Sequence, residues 1–434
     1  MRQHRWNTQK QEHRTMAPRN IQEIQKTIKN ASEHQQTITV FDTGYDSKNI
    51  TESETRILSL NQLNGLTDIN PQQQQATFLA GTTLNEASKI LAEHGFTFTN
   101  MGRTGEQTLA EAISTGMHGT GNTYGIFATQ LQELTLITAQ GDVLTCSPHK
   151  NNDIFTAAQL GLGALGIIFS LTFRIEPLFR LHAAERKRAY KDVIHHFAER
   201  SSNADHYETT WFIGSSQVRT RRLTRLPLLT DGYMNPSAVL SKARRHLGDN
   251  TLNNGAFHLI SYLGYKQPAT KPILNNISNW GKGNRRYADL APQVYTQKRT
   301  VRHHTMEYAF NRSQLATIME DIRASYHDSN KHLSYPLLVR TAAADNIALS
   351  PAYQQDTVFI CAREYWKTPP QQAFNTLETI FKAHGGRAHW GHYHTNSAEE
   401  LQGLYPRFEW FCALRKELDP QGIFLNAQLR RLLT

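Results

Sequence analysis

Residues 112–121 read AISTGMHGTG, glycines and small residues crowded around one histidine, His118. Such a run suits a turn, and its bare amides can come close to an anion. Two more turns of the same character stand nearby, DTGYDS from Asp42 and GLGALGII from Gly161. Each falls at the end of a strand pattern or the start of a helix pattern. One glycine-rich turn is often only a turn; three in one segment point to a cofactor that carries a pyrophosphate. None fits the dinucleotide fingerprint, in which G-x-G-x-x-G follows a strand and an acidic residue stands about 20 residues on. The Gly-Lys-Ser/Thr of a P-loop is absent. A nicotinamide dehydrogenase and a P-loop enzyme are thereby disfavoured.

The surrounding periodicity alternates helix and strand. Ile21, Ile24 and Ile28 share one helical face behind Pro18 and Asn20. TITVF (37–41), RILSL (56–60) and ATFLA (76–80) read as strands. Thr83 and Glu86 form a capping box for a helix carrying Leu84, Ala87 and Leu91, which Gly95 ends. LQELTLITAQGDVLTCS alternates around Gln140-Gly141-Asp142, as a hairpin does. A short helix at 153–161 and a strand running to Pro177 follow. Beyond Pro177 charge and histidine increase and the connections read as irregular, until a strand pattern resumes at Thr357. At 434 residues the chain is long enough for two domains with their own cores.

Composition excludes several classes. There is no run of about 18 apolar residues to span a membrane, and the basic amino terminus, MRQHRWNTQKQEHR, does not read as a secretory signal. Cys146, Cys361 and Cys412 are too few and too scattered for a disulfide framework or a cysteine zinc site, so a cytoplasmic location is expected. The formal charge is +10, but the basic residues are not pooled. Their densest runs, RTRRLTR from Arg219 and KARRH from Lys242, read as solvated surface. Nucleic-acid binding is not expected; contact with an acidic lipid surface is a weaker alternative.

Several long motifs occur in a fixed order: RTMAPRNIQEIQKTIKNA, QTLAEAISTGMHGTG, AAQLGLGALGIIFSLTFRIEP, VRTAAADNIALSPAYQQDTV, HWGHYH, LYPRFEWF and LRKELDPQGIFLNAQLRRLL. Together they resemble the vanillyl-alcohol-oxidase-type (PCMH-type) FAD flavoproteins, nearest the sugar-lactone and alditol oxidase branch. The resemblance spans most of the chain and is weakest from about 180 to 300. It implies an α+β protein: a two-subdomain FAD-binding domain over 15–178, an α+β cap with an antiparallel sheet over 179–420, and a segment, 421–434, that returns to the FAD domain. It also implies that Ser114, Thr115, Gly116, His118, Gly119, Thr120 and Gly121 wrap the FAD diphosphate and ribityl chain. Gly102, Gln107, Ala112 and Ile113 would lie on the approach, Thr43, Gly44 and Tyr45 in the first cofactor loop, and Gly163, Gly166 and Ile168 in the third.

The departures from the family pattern are informative. Tyr45 stands where the family's histidine bonds the flavin, which implies non-covalent FAD. The family's Glu-x-Arg becomes Leu338-Val339-Arg340, its downstream histidine becomes Cys361, and its His-Trp-Gly-Lys becomes His389-Trp390-Gly391-His392. These changes remove groups that recognise a polyol, so an altered substrate is expected: a less polar alcohol, or an acid paired with Arg340. Arg340, His392 and Ser114 are the candidate catalytic residues, with His392 as base or simply packed. Glu307 in MEYAF stands where the family has a Glu-Tyr pair near the domain junction; it either touches substrate or holds that junction, and the structural role is the one favoured. The H-x-x-H-x-H of His389, His392 and His394 invites a metal, but no acidic or cysteine partner is close in sequence and none is expected. The expected reaction is oxidation of an alcohol or lactol carbon by hydride transfer to flavin, with molecular oxygen as acceptor. The alternative is a catalytically impaired FAD-binding protein that acts through its contacts.

Overall fold

A computed structural model describes residues 15–40, 55–228, 253–280, 283–296, 301–327 and 332–434. The expected first cofactor loop, with Thr43, Gly44 and Tyr45, lies outside them, as does KARRH. Three strands, β1 (Thr15–Met16), β2 (Thr37–Val40) and β3 (Thr55–Leu58), form a parallel sheet in the order β1-β3-β2. Next come β4 (Leu66–Asn70), β5 (Gln75–Leu79), β6 (Phe96–Thr97), β7 (Leu131–Ile137), β8 (Val143–Cys146) and β9 (Ile167–Arg174). All but β6 join an antiparallel sheet in the order β4-β5-β9-β7-β8, while β6 pairs with β10 (Glu176–Pro177). The helices that cover these sheets start where the sequence places them. Asn20 caps Ile21–Glu33, which buries Ile24, Ile28 and Ala31, and the Thr83–Glu86 capping box opens Leu84–Glu93.

The second domain is built on eight strands. These are β11 (Arg180–Ala189), β12 (His206–Trp211), β13 (Gln217–Leu226), β14 (Arg285–Leu290), β15 (His303–Asn311), β16 (Leu337–Ala342), β17 (Thr357–Tyr365) and β18 (Arg387–Ala388). They form one antiparallel sheet in the order β14-β11-β13-β12-β16-β17-β15-β18. Strand side chains alternate between faces. One face, with Tyr308, Phe310, Val339, Val358 and Ile360, packs under the helices Leu315–Tyr326 and Pro370–Ala383. The opposite face turns Glu307, Arg340, Cys361 and Arg363 toward the first domain.

The reading of the stretch after Pro177 needs correcting. The stretch after Pro177 is not irregular: β11 and β13 pair along their whole length. RTRRLTR is part of β13, and Arg221 within it is buried, so this run is not solvated surface. An arginine-rich strand reads as exposed because a sequence does not show the carboxylates that a sheet will bring beside it. Toward the C-terminus, Leu401, Tyr405, Phe408, Phe411 and Leu418 are buried in the same cluster as Ile24, Ile28 and Ile38, and Ile38 N–H donates to Ile423 O at 2.7 Å.

Candidate functional site: a cavity between the loop and the sheet

A cavity of ≈ 200 Å³ separates the two domains. One wall is the first-domain stretch from Gly102 to Gln107 with Glu111, Thr115, Met117 and His118. The other is the inward face of β15, β16 and β17, and His389, Gly391 and His392 close one side.

The glycine-rich loop is held between these walls. Thr108 caps the helix Leu109–Ser114, which buries Leu109, Ala112 and Ile113 and delivers the chain to the cavity at Thr115. Gly121 N–H then donates to Thr341 O on β16 at 3.0 Å, and Thr120 Oγ1 donates to Tyr207 O on β12 at 2.6 Å. Gly119 has no room for a side chain: a Cβ there would lie 2.2 Å from Asn100 Oδ1 and 2.6 Å from Met101 O. Close packing of backbone on backbone is thus one reason for this glycine. His118, Gly119 and Thr120 lie in this buried turn, and their amides donate to no described residue. A buried turn with free N–H groups suits the phosphates and polar chain of FAD, so the residues present fit that cofactor.

Of the residues singled out from the sequence, Gly102, Gln107, Thr115, His118, Arg340 and His392 converge on the cavity. Ala112 and Ile113 point into the core instead. Ser114 ends its helix with its carbonyl accepting from Leu162 N–H and is not part of the cavity wall, so the structure does not bring this candidate catalytic residue to the others. Gly116 and Gly121 flank the loop, and Gly163, Gly166 and Ile168 lie at the entry to β9, outside the lining.

Glu307, expected to be structural, is the electrostatic centre of the site. Its Oε1 accepts from Arg340 Nη2 at 2.8 Å and lies 3.4 Å from His118 Nε2, while its Oε2 lies 3.3 Å from His392 Nε2. Burial disfavours its charge, yet the Arg340 guanidinium, in direct contact, outweighs that and holds the carboxyl well below the usual range. Burial, then Arg340, pushes His118 down. As a neutral ring, its Nδ1–H donates to Gly119 O at 2.9 Å and leaves Nε2 to accept from Arg340 at 3.3 Å. Burial and the neighbouring His392 push His389 down, and the rings of His389 and His392 stack at 4.3 Å.

The charges continue along the sheet. Arg285, Glu185, Arg221 and Glu208 alternate across β14, β11, β13 and β12, in contacts of 3.0, 3.7 and 3.1 Å. Thr209 pairs with Val339, so the same register sets Glu208 across from Arg340. Arg103, from the first domain, also binds Glu208. Burial raises the Glu208 pKa, but Arg103 and Arg221 outweigh it and bring it to about 2. The sign in the sequence of these partners was polar residues at every second position of otherwise apolar strands, as in His303, Thr305 and Glu307 or Cys361 and Arg363.

The H-x-x-H-x-H histidines do not converge. His394 turns away, its Nδ1 accepting from Asn396 N–H. A different trio, His118, Glu307 and His389, has ligand atoms within 4.8 Å of one another. The Arg340 guanidinium, 2.8 Å from the same carboxylate, already supplies a cation there and opposes a second.

Comparison with known proteins agrees with this architecture. A profile described as FAD binding domain matches residues 13–147, and one described as D-arabinono-1,4-lactone oxidase matches residues 171–432. The chain is 27% identical over 422 residues to L-gulonolactone oxidase of Bos taurus, covering 96% of this chain and 94% of that protein. It is 28% identical over 419 residues to L-gulono-1,4-lactone dehydrogenase of Mycobacterium tuberculosis, covering 96% and 95%. The crystal structure of cholesterol oxidase from B. sterolicum shares the fold, with a TM-score of 0.77 at 16% identity over 97% of this chain and 94% of that one. The chain belongs to the D-arabinono-1,4-lactone oxidase family of FAD-dependent oxidoreductases.

Proposed function

We propose that an alcohol or lactol carbon of a sugar-lactone-like substrate is oxidised in the cavity between the glycine-rich loop and the sheet. The observation that carries this reading is the buried Glu307 carboxylate on the cavity wall, paired with Arg340 and with His118 and His392 within 3.4 Å. Bound FAD supplies the hydride acceptor, held by the amides of residues 118–120. His392 Nε2 lies 3.3 Å from Glu307 Oε2, so a ring that carries its proton on Nε2, toward the carboxylate, has Nδ1 as the nitrogen able to take the substrate hydroxyl proton. The carboxylate then steadies the positive charge that arrives on the ring, as an acid does behind a catalytic histidine. Arg340 is a positioning residue: its Nη1 donates to His118 O at 3.0 Å and its Nη2 to Glu307, so it ties the cofactor loop to the carboxylate.

Three finer points follow from the same reading. Tyr45 in the attachment slot favours a flavin held without a covalent bond. The acceptor is molecular oxygen, in line with the oxidases among the relatives, although a dehydrogenase stands beside them. Three free cysteines suit a reducing, cytoplasmic setting.

Anaerobic mixing of the yellow protein with a panel of lactones, alditols and hydroxy acids tests the reaction. Bleaching of the flavin, followed by peroxide on admitting air, is the expected result. A flavin that stays oxidised throughout the panel overturns it. Acid precipitation tests the attachment: yellow colour belongs in the supernatant, and a yellow pellet contradicts it.

A further inference from the structure

The cavity's charged residues are mostly spoken for. Arg340 has Glu307, and Arg103 has Glu208. Glu111 accepts from Gln107 Nε2 on the first-domain wall. Arg363 differs. It lines the cavity and is only 9% exposed, yet its side chain has no hydrogen bond or ion pair among the described residues. It lies close enough to the Arg103 guanidinium to act on it: Arg103 is pushed down by burial, then by Arg221 and Arg363. A guanidinium buried beside another cation, with no carboxylate of its own, is costly unless a ligand supplies the charge.

Register places this arginine. Arg363 stands across from Thr305, two residues along β17 from Cys361, which stands across from Glu307. Residues two apart on a strand share a face and lie roughly 7 Å apart. An oxyanion held at Arg363 therefore leaves the rest of a five- or six-carbon chain reaching toward Glu307 and His392. The planar fork of arginine suits a carboxylate or a phosphate bound through two oxygens.

We propose that Arg363 binds an oxyanion on the substrate, so that the site selects hydroxylated sugar acids or sugar phosphates over neutral lactones and alditols. This rests on the cavity being the substrate site, as argued above, and it relocates the acid-binding role that the sequence suggests for Arg340. Arg340 is already occupied by Glu307, whereas Arg363 has no such partner among the described residues.

Two measurements on the purified flavoprotein test it. In the first, D-gluconate, D-glucose 6-phosphate and neutral L-gulono-1,4-lactone are compared by anaerobic flavin reduction, with wild type, Arg363→Gln and Arg363→Lys. The anions should show the higher kcat/KM. Arg363→Gln should lower it about 10- to 100-fold for them, mainly through KM, and so narrow the preference for anions over the lactone. Arg363→Lys should recover part of the loss. Whichever anion is preferred tells carboxylate from phosphate. Preference for the lactone, or an unchanged anion KM in Arg363→Gln, overturns the proposal and leaves the oxidoreductase reading intact. In the second, gluconate and glucose 6-phosphate binding is followed calorimetrically, without turnover. If nothing bleaches the flavin, the reaction fails, but heat of binding that Arg363→Gln abolishes still supports the anion site. Absence of binding by wild type overturns it. Thermal melting of both variants confirms that they are folded.

Discussion

Glu307 on β15 and Arg340 on β16 meet at 2.8 Å although β17 runs between their strands. The contact is diagonal: Glu307 stands across from Cys361 and Arg340 from Phe359, two residues earlier on β17. Cysteine is small, so two long side chains can close over it. At that point the glycine-rich loop, through His118, joins the same cluster.

Removing one member of a buried pair strands the other charge. Glu307→Leu leaves Arg340 uncompensated and should cost about 3–5 kcal/mol. Urea unfolding checks this. Glu307→Gln keeps the shape and should fold, with turnover reduced by two orders of magnitude or more if the carboxylate steadies the charged imidazole.

Cys361→Leu should separate the same pair sterically. The added bulk forces a shift costing roughly 1–3 kcal/mol, and turnover should fall although no ionisable partner of Glu307 has been removed. A variant with wild-type melting temperature and turnover contradicts the diagonal contact.

His392→Gln should lower kcat far more than KM. If Nδ1 takes the hydroxyl proton, flavin reduction should slow about 10²–10⁴-fold, with flavin content unchanged. Stopped-flow reduction separates this from weaker binding, which would raise KM alone.

Acid sensitivity should come in two stages. Burial pushes His206 and His394 from 6.5 to about 4, so the unfolded chain takes up these protons first. Stability should therefore fall as pH drops from about 6.5 to about 4, by about 3 kcal/mol for each group. Glu208 works in a lower window. Its folded pKa, about 2, lies below its ordinary 4.5, so its contribution is present above about 4.5 and lost as pH falls toward 2. Denaturant midpoints from pH 8 to 2 check both. His206→Gln should flatten the first stage, and Glu208→Gln the second.

Gly119→Ala should be far more damaging than Gly163→Ala. The first drives a Cβ to 2.2 Å from Asn100 Oδ1, whereas the second meets nothing within 4 Å and costs only its positive φ, 72°, about 1–2 kcal/mol. Flavin content, read as the ratio of visible to ultraviolet absorbance, should fall sharply for Gly119→Ala and little for Gly163→Ala.

Elements set by neighbours along the chain are legible in the sequence alone. The capping box at Thr83, the hairpin around Gly141 and the apolar stripe of Ile24 and Ile28 each rest on contacts within a few residues. The loop 112–121 is legible for the same reason, since glycine spacing and the motif around it are local. The role of Glu307 is not. It depends on register across three strands and on a loop nearly two hundred positions earlier, which no local pattern encodes.

The sequence by itself determined that this chain folds around a glycine-lined cofactor turn and which family it joins, because local backbone freedom and motif order are written in consecutive residues. Only the tertiary structure decided how the charges are shared. β17 brings Arg340 to Glu307 and leaves Arg363 facing the cavity, since ion pairing follows distance in space, and the sheet alone sets that distance.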